Sequence, residues 1–107
     1  MGAYAHIMRG ALIAFTVPTG SDRTRSSAFA KRFYGQETSA QQGRYRYRRH
    51  GLLDDIPHNK IIRGVIIVRT EDVEMVTSFL ERHSAIYHIR TVELTNEDHI
   101  ALDMPTE

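Results

Sequence analysis

The chain has 107 residues, no cysteine and a formal net charge of +1. This length fits one domain, and the lack of cysteine excludes a disulfide framework, thiolate chemistry and Cys-type zinc sites. No apolar run approaches the roughly 20 residues of a membrane-spanning helix, so we expect no membrane partner. The lack of cysteine fits a cytoplasmic protein, which is the expected location.

The first predicted elements are a buried strand and a helix. Residues 10–17 form an almost continuous apolar run, which is typical of a strand that is buried on both faces. Ser21 or Asp22 is expected to cap a helix that ends at Tyr34, with Gly35 as the residue that terminates it.

The middle of the chain predicts a loop and two strands. The polar segment 36–43 is expected to be a loop. Residues 44–48 alternate arginine and tyrosine with the strand period of two, and this strand is expected to run on to Leu53. Residues 54–59 predict a turn around a proline, and residues 60–69 form the strongest strand pattern.

The last third predicts a helix, a fourth strand and a terminal helical turn. Thr70 is expected to cap the helix, and residues 85–94 follow as a strand. Thr95 and Asp98 have the spacing of a capping box, which would open a turn through Leu102. The apolar stripe of the predicted helix comprises Val73, Val76 and Leu80, widened by Met75 and Phe79.

The resulting order β-α-β-β-α-β is that of the ferredoxin-like split β-α-β sandwich, an α+β fold. It predicts a four-stranded antiparallel sheet with two helices on one face. The apolar runs at 11–17 and 61–69 are expected to be central, and the more polar strands 44–53 and 85–94 are expected to be the edges.

The charge is divided unevenly along the chain. Residues 1–69 carry 12 basic residues against 4 acidic ones, a net charge of +8, whereas residues 70–107 carry 2 against 9, a net charge of −7. Most of the basic residues are arginine, which makes planar, bidentate contacts with phosphate. The basic part can therefore bind a polyanion, or it can contact the acidic part of another subunit.

The strand of alternating arginine and tyrosine is the first candidate site. Phosphate-pairing groups next to flat rings suit a nucleic-acid backbone and its stacked bases. The same pattern is found in edge strands whose charged face prevents aggregation, so both interpretations stay open. The expected nucleic-acid contacts are Arg44, Arg46, Arg48, Arg49, Tyr45 and Tyr47 in this strand and Arg23, Arg25, Lys31 and Arg32 on the first helix. Lys60, Arg63 and Arg69 extend the basic surface.

The turn after this strand is the second candidate site. His50, Asp54, Asp55 and His58 bring two imidazoles and two carboxylates within nine residues. Such a set can bind a divalent ion, which can activate water for phosphodiester cleavage. No standard ligand spacing is met, and aspartate and proline are frequent in turns for backbone reasons alone. An ordinary turn is therefore the alternative to a metal site.

Two stretches resemble small uncharacterised archaeal proteins. They are Phe33-Tyr-Gly35 and Arg44-Tyr-Arg-Tyr-Arg-Arg-His-Gly-Leu-Leu-Asp-Asp-Ile-Pro-His58 with residues 61–69. At fold level the chain is also similar to the small ferredoxin-like subunit of CRISPR adaptation complexes, a dimer that binds duplex DNA. In that family the first strand ends in an aspartate linked to metal-dependent nuclease activity. Here it ends Phe15-Thr-Val-Pro18, and the nearest aspartate is Asp22.

The sequence therefore favours a non-enzymatic nucleic-acid-binding or regulatory module, a homodimer with DNA or RNA as its partner and no cofactor. The alternatives are a metal-dependent nuclease at the turn just described and a dimeric assembly protein without nucleic acid. Residues 8–102 are expected to form the domain, with 1–7 as an N-terminal extension and 103–107 as a C-terminal tail.

Overall fold

The computed structural model describes residues 8–18, 23–40 and 45–105 of the chain. Within these ranges the protein is an α+β fold with a four-stranded antiparallel sheet, a separate two-stranded hairpin and three α-helices. The strands are β1 (Arg9–Thr16), β2 (Gln36–Ala40), β3 (Tyr45–Arg49), β4 (His58–Ile62), β5 (Val65–Val68) and β6 (Ile86–Glu93). The helices are α1 (Arg23–Tyr34), α2 (Val73–Arg82) and α3 (Asn96–Ala101), with 3₁₀ turns at Leu52–Asp55 and Thr70–Asp72. No helix in the described ranges is long and apolar enough to cross a membrane.

The four-stranded sheet has the order β4-β5-β1-β6. The predicted strand at 10–17 is confirmed as β1, which lies between β5 and β6. It pairs with β6 along its whole length, from Arg9 opposite Glu93 to Thr16 opposite Ile86. The strand predicted at 85–94 is therefore confirmed as an edge of this sheet.

The single strand predicted at 60–69 is wrong, because a tight turn at Arg63 and Gly64 divides it into β4 and β5. Gly64 has φ +90°, a conformation that is strained for any residue with a side chain. The turn was hidden because the sequence is apolar on both sides of it. β4 also begins at His58, inside the segment predicted as a turn, and it occupies the sheet edge expected for the arginine-tyrosine strand.

The predictions for 36–43 and 44–53 are also wrong in part, because β2 and β3 pair with each other and not with the main sheet. β2 lies where a loop was expected, since its polar sequence has no apolar face that would indicate a strand. The pairing with β3 explains why this polar segment forms a strand. Glu37 lies directly opposite Arg48, and opposite charges in that position stabilise a strand pair. Arg44 lies outside the described residues.

Helix α1 ends as expected. Gly35 has φ +82°, and its N–H donates to the carbonyl oxygen of Lys31 over 3.0 Å. The predicted caps at the start of the helix, Ser21 and Asp22, lie outside the described residues.

Helix α2 begins later than predicted. Thr70 opens a 3₁₀ turn, and Asp72 is the N-cap residue of the helix proper. Asp72 accepts a 2.9 Å hydrogen bond from Nε of Arg69. The predicted apolar stripe is buried at Val76, Phe79 and Leu80, but Met75 is 53% exposed and does not widen it.

One buried cluster joins β1 and β5 to α1, to α2 and to the segment after β3. Ala11 lies opposite Val68, and Ile13 lies opposite Ile66, so these four side chains share one face of the sheet. The ring of Phe33 is fully buried, 4.9 Å from the ring centre of Phe15. The cluster comprises Ala11, Ile13, Phe29, Phe33, Leu53, Ile56, Ile66, Val68, Val76, Phe79 and Leu80.

Helix α3 packs beside β4. Asn59 of β4 donates a 2.8 Å hydrogen bond to Oδ1 of the buried Asp98, and Leu102 is fully buried after the helix. The predicted capping box is confirmed: Thr95 N–H donates to Oδ2 of Asp98, and Asp98 N–H donates to Oγ1 of Thr95.

Candidate functional site

Tyr34, the last residue of α1, lies at the centre of the candidate site. Its hydroxyl accepts a 3.1 Å hydrogen bond from the N–H of Gly64 in the β4–β5 turn. Burial raises the pKa of Tyr34, and the Gly64 hydrogen bond and the charge of Arg63 oppose that rise. The side chain therefore connects the end of α1 to the turn between two strands of the sheet.

Basic side chains from separate elements surround this tyrosine. Arg48 of β3 donates from Nη2 to the carbonyl oxygen of Tyr34 over 2.8 Å. The ammonium nitrogen of Lys60 in β4 lies 4.5 Å from the centre of the Tyr34 ring, within the range of a cation–π contact. Arg63 lines the same cleft as Tyr34, and Lys31 stands three residues earlier on the same side of α1.

We call Tyr34, Lys31, Arg48, Lys60 and Arg63 the Tyr34 patch. Its cations differ in how far their charge is compensated. Arg48 donates to Oδ1 of Asp54 from Nη2 (2.7 Å) and from Nε (3.1 Å). Among the residues that the structure describes, no carboxylate forms an ion pair with Lys31, Lys60 or Arg63, all of which are exposed.

Two glycines fix the position of Arg48. A Cβ atom on Gly51 would collide with the backbone of Gly35, so the two chain segments cross there in direct contact. A Cβ atom on Gly35 would lie 2.6 Å from Nη2 of Arg48 and 2.7 Å from Oδ2 of Asp54. That carboxylate also accepts a 2.8 Å hydrogen bond from the N–H of Gly51. The crossing therefore needs glycine at both positions, and it holds β3 and the following 3₁₀ turn against the end of α1.

The structure brings only part of the predicted nucleic-acid set to this patch. Lys31 and Arg48 belong to it. Arg49 is exposed, but it follows Arg48 directly in a strand and so faces the other side of the hairpin. Arg32 is exposed two residues before Tyr34, on a different side of α1. Arg23 and Arg25 lie in α1, and Tyr45, Arg46 and Tyr47 lie in β3, but their side chains are outside what the structure describes.

The three basic residues predicted on one strand, Lys60, Arg63 and Arg69, do not stay together. Lys60 and Arg63 join the patch. Arg69 instead pairs with Asp72 over 2.9 Å, and Glu71 is 4.0 Å away, so its charge is compensated within the start of α2.

Of the predicted metal ligands, His50, Asp54 and Asp55 lie close together, with Nδ1 of His50 4.0 Å from Oδ2 of Asp54, but they pair with one another or with Arg48. Nε2 of His50 lies 2.7 Å from Oδ2 of Asp55, and this hydrogen bond raises the pKa of His50. Asp54 is held by Arg48, and Nδ1 of His58 is 2.8 Å from the carbonyl oxygen of Ile56. In the described part of the chain, no group of three or more histidine or acidic side chains is placed to hold a metal ion. Within this segment, Leu52–Asp55 form a 3₁₀ turn.

The sequence predicted Tyr34 only as the end of the first helix and not as a site residue. Its position as the last helical residue, next to Gly35 with positive φ, is a local signal that it borders an exposed helix end. The approach of Lys60 and Arg63 has no local signal, because it depends on the turn at Gly64.

Comparison of the chain with protein-family models, with curated proteins and with solved structures finds no match.

Proposed function

We propose that the protein is a nucleic-acid-binding or regulatory module whose contact surface is the Tyr34 patch. The observation that supports this function is the presence of three cations around one tyrosine, none of which has an ion-pair partner among the described residues. Lys60 of β4 contacts the Tyr34 ring, Arg63 of the β4–β5 turn lines the same cleft, and Lys31 lies one helical turn earlier on α1. Cations held together on one surface raise the local concentration of anions, and a polyanion gains most because it meets several of them at once.

The residues of the patch differ in whether they are held in a fixed orientation or supply charge for binding. Arg48 is held by Asp54 and the Tyr34 carbonyl, yet 44% of its side chain stays exposed, so its remaining donors can reach a phosphate. Lys31, Lys60 and Arg63 supply the charge. Since Glu37 lies opposite Arg48 and Asp54 compensates it, we expect Arg48 to contribute less binding energy than the three others.

We also propose that the domain is ferredoxin-like with the β2–β3 hairpin inserted before β4. Without that hairpin the elements follow β-α-β-β-α-β, and β1 lies between β5 and β6, which α2 connects. Both α1 and α2 contribute side chains to the buried cluster, which supports their placement on one face of the sheet.

The proposed module is a homodimer. An edge strand offers its free backbone groups to another chain, and β6 is an eight-residue edge that exposes Ile86 (54%) and Ile89 (37%). If the dimer forms there, replacing Ile86 or Ile89 with lysine will yield a folded monomer by analytical ultracentrifugation. A wild-type monomer at all accessible concentrations would refute it.

The test of the proposed function is a comparison of two triple variants with the same change in charge. Lys31→Gln, Lys60→Gln and Arg63→Gln together remove the three patch cations that have no ion-pair partner among the described residues. Arg9→Gln, Arg82→Gln and Arg90→Gln remove three exposed cations elsewhere. Fluorescence anisotropy with labelled RNA and DNA oligonucleotides should show binding by the wild type and the control, and a loss of about tenfold or more in the patch variant. Equal affinities of both variants would reject the patch as the contact surface.

A further inference from the structure

An aromatic cleft opens beside the Tyr34 patch. It has a volume of about 250 Å³ and lies between the end of β1, helix α1 and the β4–β5 turn. Phe15, Phe29 and Tyr34 supply ring surface, Ala30 lies in its helical wall, and the exposed Arg63 stands at its rim. Its exposed lining is more polar than apolar, so the cleft combines aromatic side chains with polar groups and a cation at its entrance.

The walls are held in place without a ligand. The N–H of Phe15 donates to the carbonyl oxygen of Gly64 over 2.8 Å, and the N–H of Gly64 donates to the Tyr34 hydroxyl over 3.1 Å. The turn is thus attached to β1 through one backbone group and to α1 through the other. A Cβ atom at position 64 would lie 2.9 Å from the Phe15 carbonyl oxygen, so the close approach depends on glycine. A preformed cleft of this kind loses little entropy when it binds.

The size and chemistry of the cleft select its ligand. Its volume is below the roughly 300–1,000 Å³ of sites for drug-sized molecules, which leaves room for one flat ring system. Aromatic walls favour the face or edge of such a ring. The Arg63 guanidinium at the rim, with Lys60 over the Tyr34 ring, favours an anion attached close to that ring. A ring with an adjacent anion is the chemistry of a nucleotide.

We propose that this cleft takes one unstacked base of a single-stranded nucleic acid while the Tyr34 patch holds the neighbouring phosphates. This inference rests on the proposed function and narrows it from nucleic acid in general to single strands. A base inside a duplex is stacked and paired, so it cannot enter the cleft, whereas every base of a single strand can offer its flat face.

The first experiment uses the wild-type protein and three probes of equal length and charge per strand: a single-stranded oligonucleotide, an abasic strand with the same phosphates, and a duplex. Insertion of one base predicts that the single strand binds about 5- to 150-fold more tightly than the abasic strand, which is the contribution of one stacked base. The duplex, whose bases stay stacked, should bind less tightly than the base-containing single strand.

The second experiment fills the cleft. Ala30→Leu places a larger side chain in the helical wall without changing charge, and leucine is a good helix former. Ala28→Leu is the matched control, because Ala28 is exposed on the same helix and does not line the cleft. The Ala30 variant should lose the preference for the base-containing strand and keep the affinity for the abasic strand, while the Ala28 variant should behave as wild type.

The outcomes separate the two proposals. If the abasic and base-containing strands bind the wild type equally, the base site is wrong and the phosphate-binding patch still stands. If no oligonucleotide binds, the proposed function itself is wrong. The wild-type comparison needs no variant, so it decides the matter even if Ala30→Leu fails to fold. Tighter binding of a free mononucleotide than of the strand would overturn the single-strand proposal.

Discussion

The guanidinium of Arg48 donates to the carbonyl oxygen of Tyr34 over 2.8 Å and ties β3 to the last turn of α1. The carbonyl groups at a helix C-terminus have no partner within the helix, and a cation there complements the helix dipole. Asp54 accepts hydrogen bonds from Nη2 and Nε of the same guanidinium. The arginine that the sequence assigned to a nucleic-acid contact is therefore also the residue that positions the patch.

Asp54→Ala should destabilise the protein by about 1–2 kcal/mol near pH 7. The change leaves the buried N–H of Gly51 without its acceptor, and an unsatisfied buried donor costs about that much. Asp55→Ala, at a neighbouring exposed aspartate that pairs with the exposed His50 and not with Arg48 or Gly51, should stay within about 0.5 kcal/mol. Urea unfolding of the three proteins measures the difference. A similar loss of unfolding free energy in both variants would contradict the conclusion that Asp54 stabilises the fold by accepting from Gly51.

At acid pH, Asp54 should no longer contribute to the free energy of unfolding. The hydrogen bond from Arg48, followed by the one from Gly51, lowers the pKa of Asp54. A carboxyl group with a lowered pKa in the folded state stabilises the protein above its unfolded pKa of about 3.9, and this stabilisation is lost as the pH falls through the folded pKa. The gap in unfolding free energy between wild type and Asp54→Ala should therefore shrink below about pH 4. A gap that stays constant down to pH 2 would contradict this.

His50 should titrate above its ordinary value of about 6.5. The hydrogen bond that His50 donates to Asp55 raises the pKa of His50, so its stabilising pair with that carboxylate is fully present below about pH 6.5 and is lost as the pH rises through the folded pKa. An NMR titration should show the shift in wild type and in Asp103→Asn, a change at an exposed carboxylate elsewhere. Asp55→Asn should return the midpoint toward 6.5. A midpoint at 6.5 in the wild type would refute the pair.

Gly51→Ala should cost at least about 2 kcal/mol, because the new methyl group would overlap the backbone of Gly35 and neither segment has a flexible end that can move. Gly10→Ala is the comparison: there the nearest atom, 2.8 Å away, is the end of the Leu94 side chain, which can rotate, and the nearest backbone atom, the Val68 carbonyl oxygen, is 3.0 Å away and has to move only slightly. Thermal unfolding should rank Gly51→Ala well below Gly10→Ala in stability. The reverse ranking would show that the crossing tolerates a side chain.

Ser84→Gly should stabilise the protein by about 0.5 kcal/mol, since Ser84 has φ +57° and glycine relieves the cost of that conformation while losing more entropy on folding. Ala85 N–H donates to the Leu80 carbonyl oxygen, and Ser84 N–H to that of Glu81, which is the Schellman end of α2. Ser78→Gly, at an exposed site inside the same helix, should destabilise by about 0.5 kcal/mol. Urea unfolding measures the change in unfolding free energy for both variants. Destabilisation by both substitutions would contradict the conclusion that the positive φ of Ser84 destabilises the folded state.

The elements that local pattern dictates could be predicted from the sequence. The apolar run of β1, the glycine that ends α1 and the Thr95–Asp98 capping box each act within a few residues. The α+β class and the four-stranded antiparallel sheet follow from the order of such elements.

The rest depended on partners that no local pattern shows. Polar β2 becomes a strand only because β3 lies beside it, and the apolar run at 60–69 conceals a turn that a single glycine permits. The candidate site could be predicted only in part for the same reason. Its charge was visible in the sequence, but its centre, Tyr34, follows from where the turn at Gly64 brings Lys60 and Arg63.

The salt dependence of single-strand binding tests the central claim most directly. Each phosphate contact contributes about −0.7 to the slope of log affinity against log salt on a single strand. Removing Lys31, Lys60 and Arg63 together should therefore make the slope shallower by about 2, while the control at Arg9, Arg82 and Arg90 should keep the wild-type slope. Equal slopes for the two triple variants would contradict the assignment of the Tyr34 patch as the phosphate-binding surface.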